Sequence, residues 1–229
     1  MAGKQVDEAL LRGIPNAAAL RTTTPDDLVI VTYSGHGVSD DKGEFYLFPA
    51  DIGKGDRREL TPELYAKAIS SEVLSKWLRD VDAGEFLLVV DACQSAASVE
   101  GGGGFRPGPM GSRGLGQLAY DKGMRLLAAS QAEQSAIESQ LLKHGLLTYA
   151  LLREGLEEGA ADKAPVDHII TGEEWLTFGS ERVPVLYQEI KNNPSVRGVE
   201  PHDLANIQHP VLFDFARLGY STPIARTGN

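Results

Sequence analysis

The sequence is short of cysteine, aromatic residues and positive charge, and it has no long apolar run. Among 229 residues there is a single cysteine, Cys93. No internal disulfide can form, a zinc site built from several cysteines is excluded, and a reducing cytoplasm is the expected home. Basic residues number 22 against 32 acidic ones, for a formal net charge of −10. A general nucleic-acid or anionic-membrane binder needs a basic face, so neither partner is expected. No apolar stretch approaches the length of a membrane span, and the opening MAGKQVDEALLRG lacks the apolar core of a signal peptide. What remains is ordinary for a globular chain, with 42% hydrophobic and 24% charged residues. That is enough for one substantial α/β domain or two small ones.

Short, continuous apolar runs rich in β-branched residues read as strands buried on both faces. They occur at 28–34 (LVIVTYS), 44–50 (EFYLFPA), 86–92 (FLLVVDA), 125–130 (RLLAAS) and 210–215 (PVLFDF). Helical patterns lie between them. A loose helix at 4–20 is broken near Pro15, and a turn follows at 24–27. Ser71 is expected to cap a helix reaching about Val81, with Val73, Leu74, Trp77 and Leu78 on one face. Further helices are expected at about 145–157 and from Thr171 to about Asn192. The latter has Glu174 in capping-box position and an interruption at Pro184. Buried strands alternating with helices predict a three-layer α/β/α sandwich with a mostly parallel central sheet.

Residues 99–117 (VEGGGGFRPGPMGSRGLGQ) stand apart, rich in glycine and proline and without periodic apolar residues. They read as a long loop or linker that begins a few residues after Cys93. The expected organisation is therefore an amino-terminal segment of residues 1–98, a Gly/Pro-rich loop 99–122, and a carboxyl-terminal segment of residues 123–229 that completes the same domain.

In open α/β sheets, reactive groups gather at the carboxyl ends of the strands. One strand ends in Tyr33-Ser34-Gly35-His36-Gly37 and another in Asp91-Ala92-Cys93-Gln94-Ser95. If the two strands are adjacent and parallel, His36 and Cys93 meet. A thiol attacks a carbonyl as its thiolate, and a neighbouring imidazole is the usual base. A helix starting near Gln94 would point its positive end at the sulfur. The glycines around His36 are expected to let the chain turn tightly and expose its amides. Each residue alone has a plainer explanation. A lone cysteine in a strand is usually a small buried hydrophobe, and a lone histidine a hydrogen-bonded loop residue. The pair at two strand ends is what points to catalysis.

YSGHG at 33–37 and DACQS at 91–95 resemble the motifs of the metacaspase and bacterial caspase-like peptidases of the caspase superfamily. ASQAEQSAIES at 129–139, HGLLTYALL at 144–152 and PVLFDFAR at 210–217 are similar to later stretches of that family. The resemblance implies a caspase-hemoglobinase-like fold and a cysteine endopeptidase. His36 would be general base and acid, Cys93 the nucleophile, and the N–H groups of Gly37 and Cys93 the oxyanion hole. It further implies that Asp91 and Ser34 line the pocket for the residue before the cut. A carboxylate there favours Arg or Lys and repels Asp. The plainer role for Asp91 is a strand-end aspartate that caps the next helix.

This sequence departs from the family pattern in two ways. Ala96 stands where the branch usually has glycine, and the family's first strand–helix–strand unit has no counterpart here. No cofactor is expected. Asp40, Asp41 and Asp51 raise calcium, but their spacing is not that of an EF-hand loop and reads as a solvated turn. His144 reads as a helix cap or surface residue, His168, His202 and His209 show no metal-ligand spacing, and Trp77 and Trp175 read as core. Expected partners are protein or peptide substrates with a basic residue before the cut, and a regulatory or sensor domain or chain. Self-cleavage is expected chiefly after Arg113, because Arg106 is followed by Pro107 and Lys122 lies nearer the next strand. The rival function is a catalytically inactive caspase-like scaffold that binds peptides or partner proteins. A Cys-dependent hydrolase or acyltransferase on non-peptide esters is a third reading, which leaves Asp91 without a task.

Overall fold

The computed structural model describes residues 20, 22–39, 44–49, 66–79, 81–93, 113–129, 145–163, 165–192, 209–217, 219 and 221–228, and of residues 36, 39, 93 and 113 the backbone only. Its centre is β4, Glu85–Cys93. Every residue from Glu85 to Ala92 is buried, as a run such as FLLVV requires. β1, Leu28–Ser39, pairs with β4 in parallel, and β5, Arg125–Ala128, pairs in parallel on the other side. β2, Phe45–Phe48, runs antiparallel to β1, and β3, Ile69–Ser70, antiparallel to β2. β7, Val211–Asp214, runs antiparallel to β5. The six-stranded order is β3-β2-β1-β4-β5-β7, so β1, β3, β4 and β5 share one direction. The protein is thus mixed α/β with a mostly parallel central sheet, as expected. A small second sheet pairs β6, Ile169–Thr171, with β8, Pro223–Arg226. Its three- and four-residue strands carry too few apolar residues for periodicity to show them.

The pleat of β4 sorts two cores. Phe86, Leu88, Val90 and Ala92 pack with α1, Ser71–Leu78, and α2, Arg113–Lys122. Leu87 and Val89 pack with two helices on the other face. One is α3, Leu146–Tyr149, which passes into a π-helix over Ala150–Glu157; the other is α4, Gly172–Asn192. The Trp175 indole N–H donates to the Leu151 carbonyl at 3.0 Å and ties these helices together. Arg182 spans the same junction, bonding Glu154 at 2.5 and 2.9 Å and Glu189 at 2.7 and 2.8 Å. Its hydrogen bonds to the Glu154 and then the Glu189 carboxylates raise its pKa well above the ordinary arginine value. Among the described residues, no helix is long and apolar enough to cross a membrane.

Four expectations are corrected. The strand expected to stop at residue 34 runs on to Ser39, because β2 gives residues 36–39 an antiparallel partner. The cap of α1 is Ser70, whose hydroxyl accepts from the Val73 N–H at 3.2 Å; Ser71 instead donates to Glu44. α4 is not interrupted at Pro184. Val183, Leu186, Tyr187 and Ile190 are buried around it, and that packing outweighs the roughly 3 kcal/mol cost of an interior proline. The Gly/Pro-rich loop ends before Arg113, since Arg113–Lys122 is α2. Leu115, Leu118 and Ala119 bury its inner face at helical spacing. The capping box expected at Thr171 is present, with the Thr171 N–H on Glu174 at 3.0 Å and the Glu174 N–H on Thr171 at 3.2 Å.

Candidate functional site

The register of β1 against β4 builds the site. Ser34 stands opposite Asp91 and His36 opposite Cys93. Paired positions on neighbouring parallel strands lie about 4.8 Å apart. Successive residues alternate between faces, so positions 34, 36, 91 and 93 share one face at the carboxyl end of the strands. It is the face of β4 that packs on α3 and α4. On β1 the neighbouring positions of that face, Ile30, Thr32 and Ser34, are exposed. An open strip of sheet therefore leads to the edge of Asp91. The expectation that the two strand ends lie side by side is met. The side chains of His36 and Cys93 lie outside the described residues, as do the helix expected from Gln94, Asp40, Asp41 and Asp51, Arg106, and residues 99–112.

The glycines beside His36 serve packing rather than a turn. β1 is continuous through Gly35 and Gly37. A Cβ on Gly37 would sit 2.5 Å from the Phe45 ring, and one on Gly35 would sit 2.7 Å from the Tyr33 hydroxyl. That hydroxyl donates to the Phe48 carbonyl at 2.9 Å and accepts from the Phe48 N–H at 3.2 Å, joining β1 to β2. Gly37 itself is buried opposite Leu47, within the β1–β2 ladder.

Asp91 is buried, 3% exposed. Its Oδ2 accepts from the Thr148 N–H at 3.1 Å and also from the Thr148 hydroxyl. Thr148 is the third residue of α3, so Asp91 caps that helix across space, in place of a side chain from the Gly145 cap position. Glycine at 145 leaves room for the carboxylate: a Cβ there would fall 2.6 Å from Oδ2 and 2.8 Å from Oδ1 and push it aside. The reach from β4 to α3, over 57 residues of chain, is invisible to sequence spacing. The plainer expectation, a strand-end aspartate that caps a helix, is met in kind, but the helix is α3 rather than the one expected next in the chain. Ser34 is exposed beside Asp91. Arg113 opens α2 rather than standing in an extended loop.

Of the remaining histidines, His168 adopts a positive φ of 68° and is held by Asp162 and Thr227. Trp175 is buried, and Trp77 is half-buried against the other core, as expected of core residues. Among the described residues there is no cluster of three or more His, Cys, Asp or Glu side chains suited to a metal ion. No protein-family model matches the chain, and neither does any curated protein.

Proposed function

We propose that the protein is a cysteine endopeptidase of the caspase-like, metacaspase-related kind, cleaving after Arg or Lys. The observation that carries this reading is the β1–β4 register, in which His36 stands opposite Cys93 at the carboxyl end of two parallel strands. His36 takes the thiol proton and the thiolate attacks the carbonyl carbon of the scissile bond. The N–H of Cys93 receives the developing oxyanion; Gly37, buried in the β1–β2 ladder, is left out of the oxyanion hole expected for it. The imidazolium then gives its proton to the leaving amine, and water, deprotonated by His36, releases the acyl group from sulfur. The donor set needs no metal or organic cofactor for these steps.

Asp91 and Ser34 form the pocket for the basic residue. The support is their pairing in register next to the Cys93 and His36 positions, with the open strip of β1 as the approach. Because Asp91 is buried, a cation that pairs with it leaves water as well. There a carboxylate discriminates strongly, attracting a guanidinium and rejecting an acidic side chain. Peptide substrates that differ only in the residue before the cut test this. Arg and Lys peptides should be hydrolysed and the Asp peptide left intact, with all turnover lost in Cys93→Ala. Efficient hydrolysis of the Asp peptide refutes the pocket. No hydrolysis of any peptide by the unsubstituted protein leaves the inactive scaffold.

A further inference from the structure

We propose that Thr148 is the positioning residue of the specificity pocket: it sets the direction of the Asp91 carboxylate and thereby the preference for Arg over Lys. The inference rests on the reading of Asp91 given above and deepens it. Thr148 presents two donors, its N–H at 3.1 Å and its hydroxyl, and both fall on the same oxygen, Oδ2. Two donors from one residue on one oxygen fix the rotation of the carboxylate about its Cβ–Cγ bond. Gly145 closes a further direction, since its α-carbon lies against the carboxylate with no room for a methyl group. The anchor is itself held by packing. Leu146 and Leu147, which precede Thr148, are both fully buried.

Fixed direction matters differently to the two basic side chains. Guanidinium binds a carboxylate through a planar fork and needs the two planes aligned. Ammonium is a compact point charge with rotatable donors and tolerates a turned carboxylate. Freeing Asp91 to rotate should therefore cost Arg substrates more than Lys substrates, and mainly in KM, because the fork forms on binding.

The test compares Thr148→Val, Thr148→Ser and Gly145→Ala with the unsubstituted protein on matched Arg and Lys peptides. Melting temperatures are measured for every variant. Thr148→Val keeps the N–H but loses the hydroxyl. It should lower kcat/KM for Arg about 10-fold and the Arg/Lys ratio at least threefold, roughly the loss of one charge-assisted hydrogen bond. Thr148→Ser retains both donors and should restore the ratio. Gly145→Ala pushes on the carboxylate without touching Thr148 and should lower the ratio too, which keeps the test decisive if Thr148→Val folds poorly. An unchanged Arg/Lys ratio in both Thr148→Val and Gly145→Ala, or a Thr148→Ser protein no better than Thr148→Val, overturns the proposal while leaving the peptidase intact. An unsubstituted protein that cleaves neither peptide removes the underlying reading instead.

Discussion

At the amino end of β4, Glu85 meets Arg125 at 2.5 Å; at its carboxyl end, six residues on, Asp91 meets Thr148. Both carboxylates lie on the same face of the sheet, at opposite ends of the α3–α4 layer, about 20 Å apart along the strand. The amino-end cluster is a closed ionic network. Arg125 also binds Asp214 at 3.0 Å and Glu173 at 3.1 Å. Glu85 further accepts from the Ser221 hydroxyl at 2.7 Å and the Thr222 N–H at 2.5 Å. Every one of those contacts holds a late stretch of the chain to the sheet. At the carboxyl end Asp91 is oriented by the neutral donors of Thr148, lies beside an open strip of β1, and adjoins the positions of His36 and Cys93. At the amino end one guanidinium ties three carboxylates together and serves the fold; at the carboxyl end two donors of Thr148 orient a carboxylate beside the candidate catalytic positions.

Substitutions at the two ends should therefore have opposite profiles. The largest effect is expected at the carboxyl end. Cys93→Ala and His36→Ala should each lower peptide hydrolysis about a thousandfold or more, with melting temperatures within a few degrees of the unsubstituted protein. Peptide assays paired with thermal melts check this, and wild-type turnover by Cys93→Ala would mean that the nucleophile lies elsewhere.

Next comes the amino end. Arg125→Met leaves Glu85 buried without its partner and should cost about 3–5 kcal/mol in denaturant titrations. Adding Glu85→Gln should recover some of that loss. Activity per folded molecule should stay within about twofold, since the network is far from the reacting groups. A normal stability with lost activity would break the contrast.

A smaller effect is expected for Asp91→Asn, which keeps an oxygen for the Thr148 donors and removes the charge. It should lower kcat/KM for basic peptides about 10- to 100-fold, the worth of one buried charge pairing, at a stability change near 1 kcal/mol. It should not create Asp specificity. The smallest concerns Arg113. A cut after it requires the first turn of α2 to open, because Arg113 begins the helix and Leu115 is fully buried. Cleavage there should be slow and Cys93-dependent, should disappear in Arg113→Gln, and should change peptide turnover less than about twofold. Sequencing of new amino termini after incubation checks it.

The layout of the sheet was legible because the apolar runs FLLVV and LVIV mark inner strands, although only the first is buried on both faces: in β1 Ile30, Thr32 and Ser34 are exposed, against the two-sided burial expected for 28–34. Their ends were legible because polar, chemically loaded residues follow the apolar runs, although burial continues through Asp91 and Ala92. Three things were not legible, each for a physical reason. α2 was hidden because Gly114 and Gly116 mimic loop composition, although Leu115 and Leu118 keep helical spacing. The extension of β1 past His36 depends on β2 pairing with it, a contact that no local pattern records. Thr148 depends on a helix start and a strand end meeting in space, and its sequence neighbours LLTYALL show only the apolar face. The His36, Cys93, Asp91 and Ser34 positions thus came from strand ends; Thr148 and Gly145 came from packing.

The most direct test of the central claim is covalent trapping. The intact protein is incubated with peptide chloromethylketones carrying Arg or Asp as the terminal residue, and its mass and the modified residue are determined. One adduct per chain on Cys93 with the Arg reagent is expected, little or none with the Asp reagent, and a marked loss of labelling in His36→Ala. Equal labelling by both reagents, an adduct on a residue other than Cys93, or no adduct at all would contradict a Cys93–His36 peptidase with a basic-residue pocket.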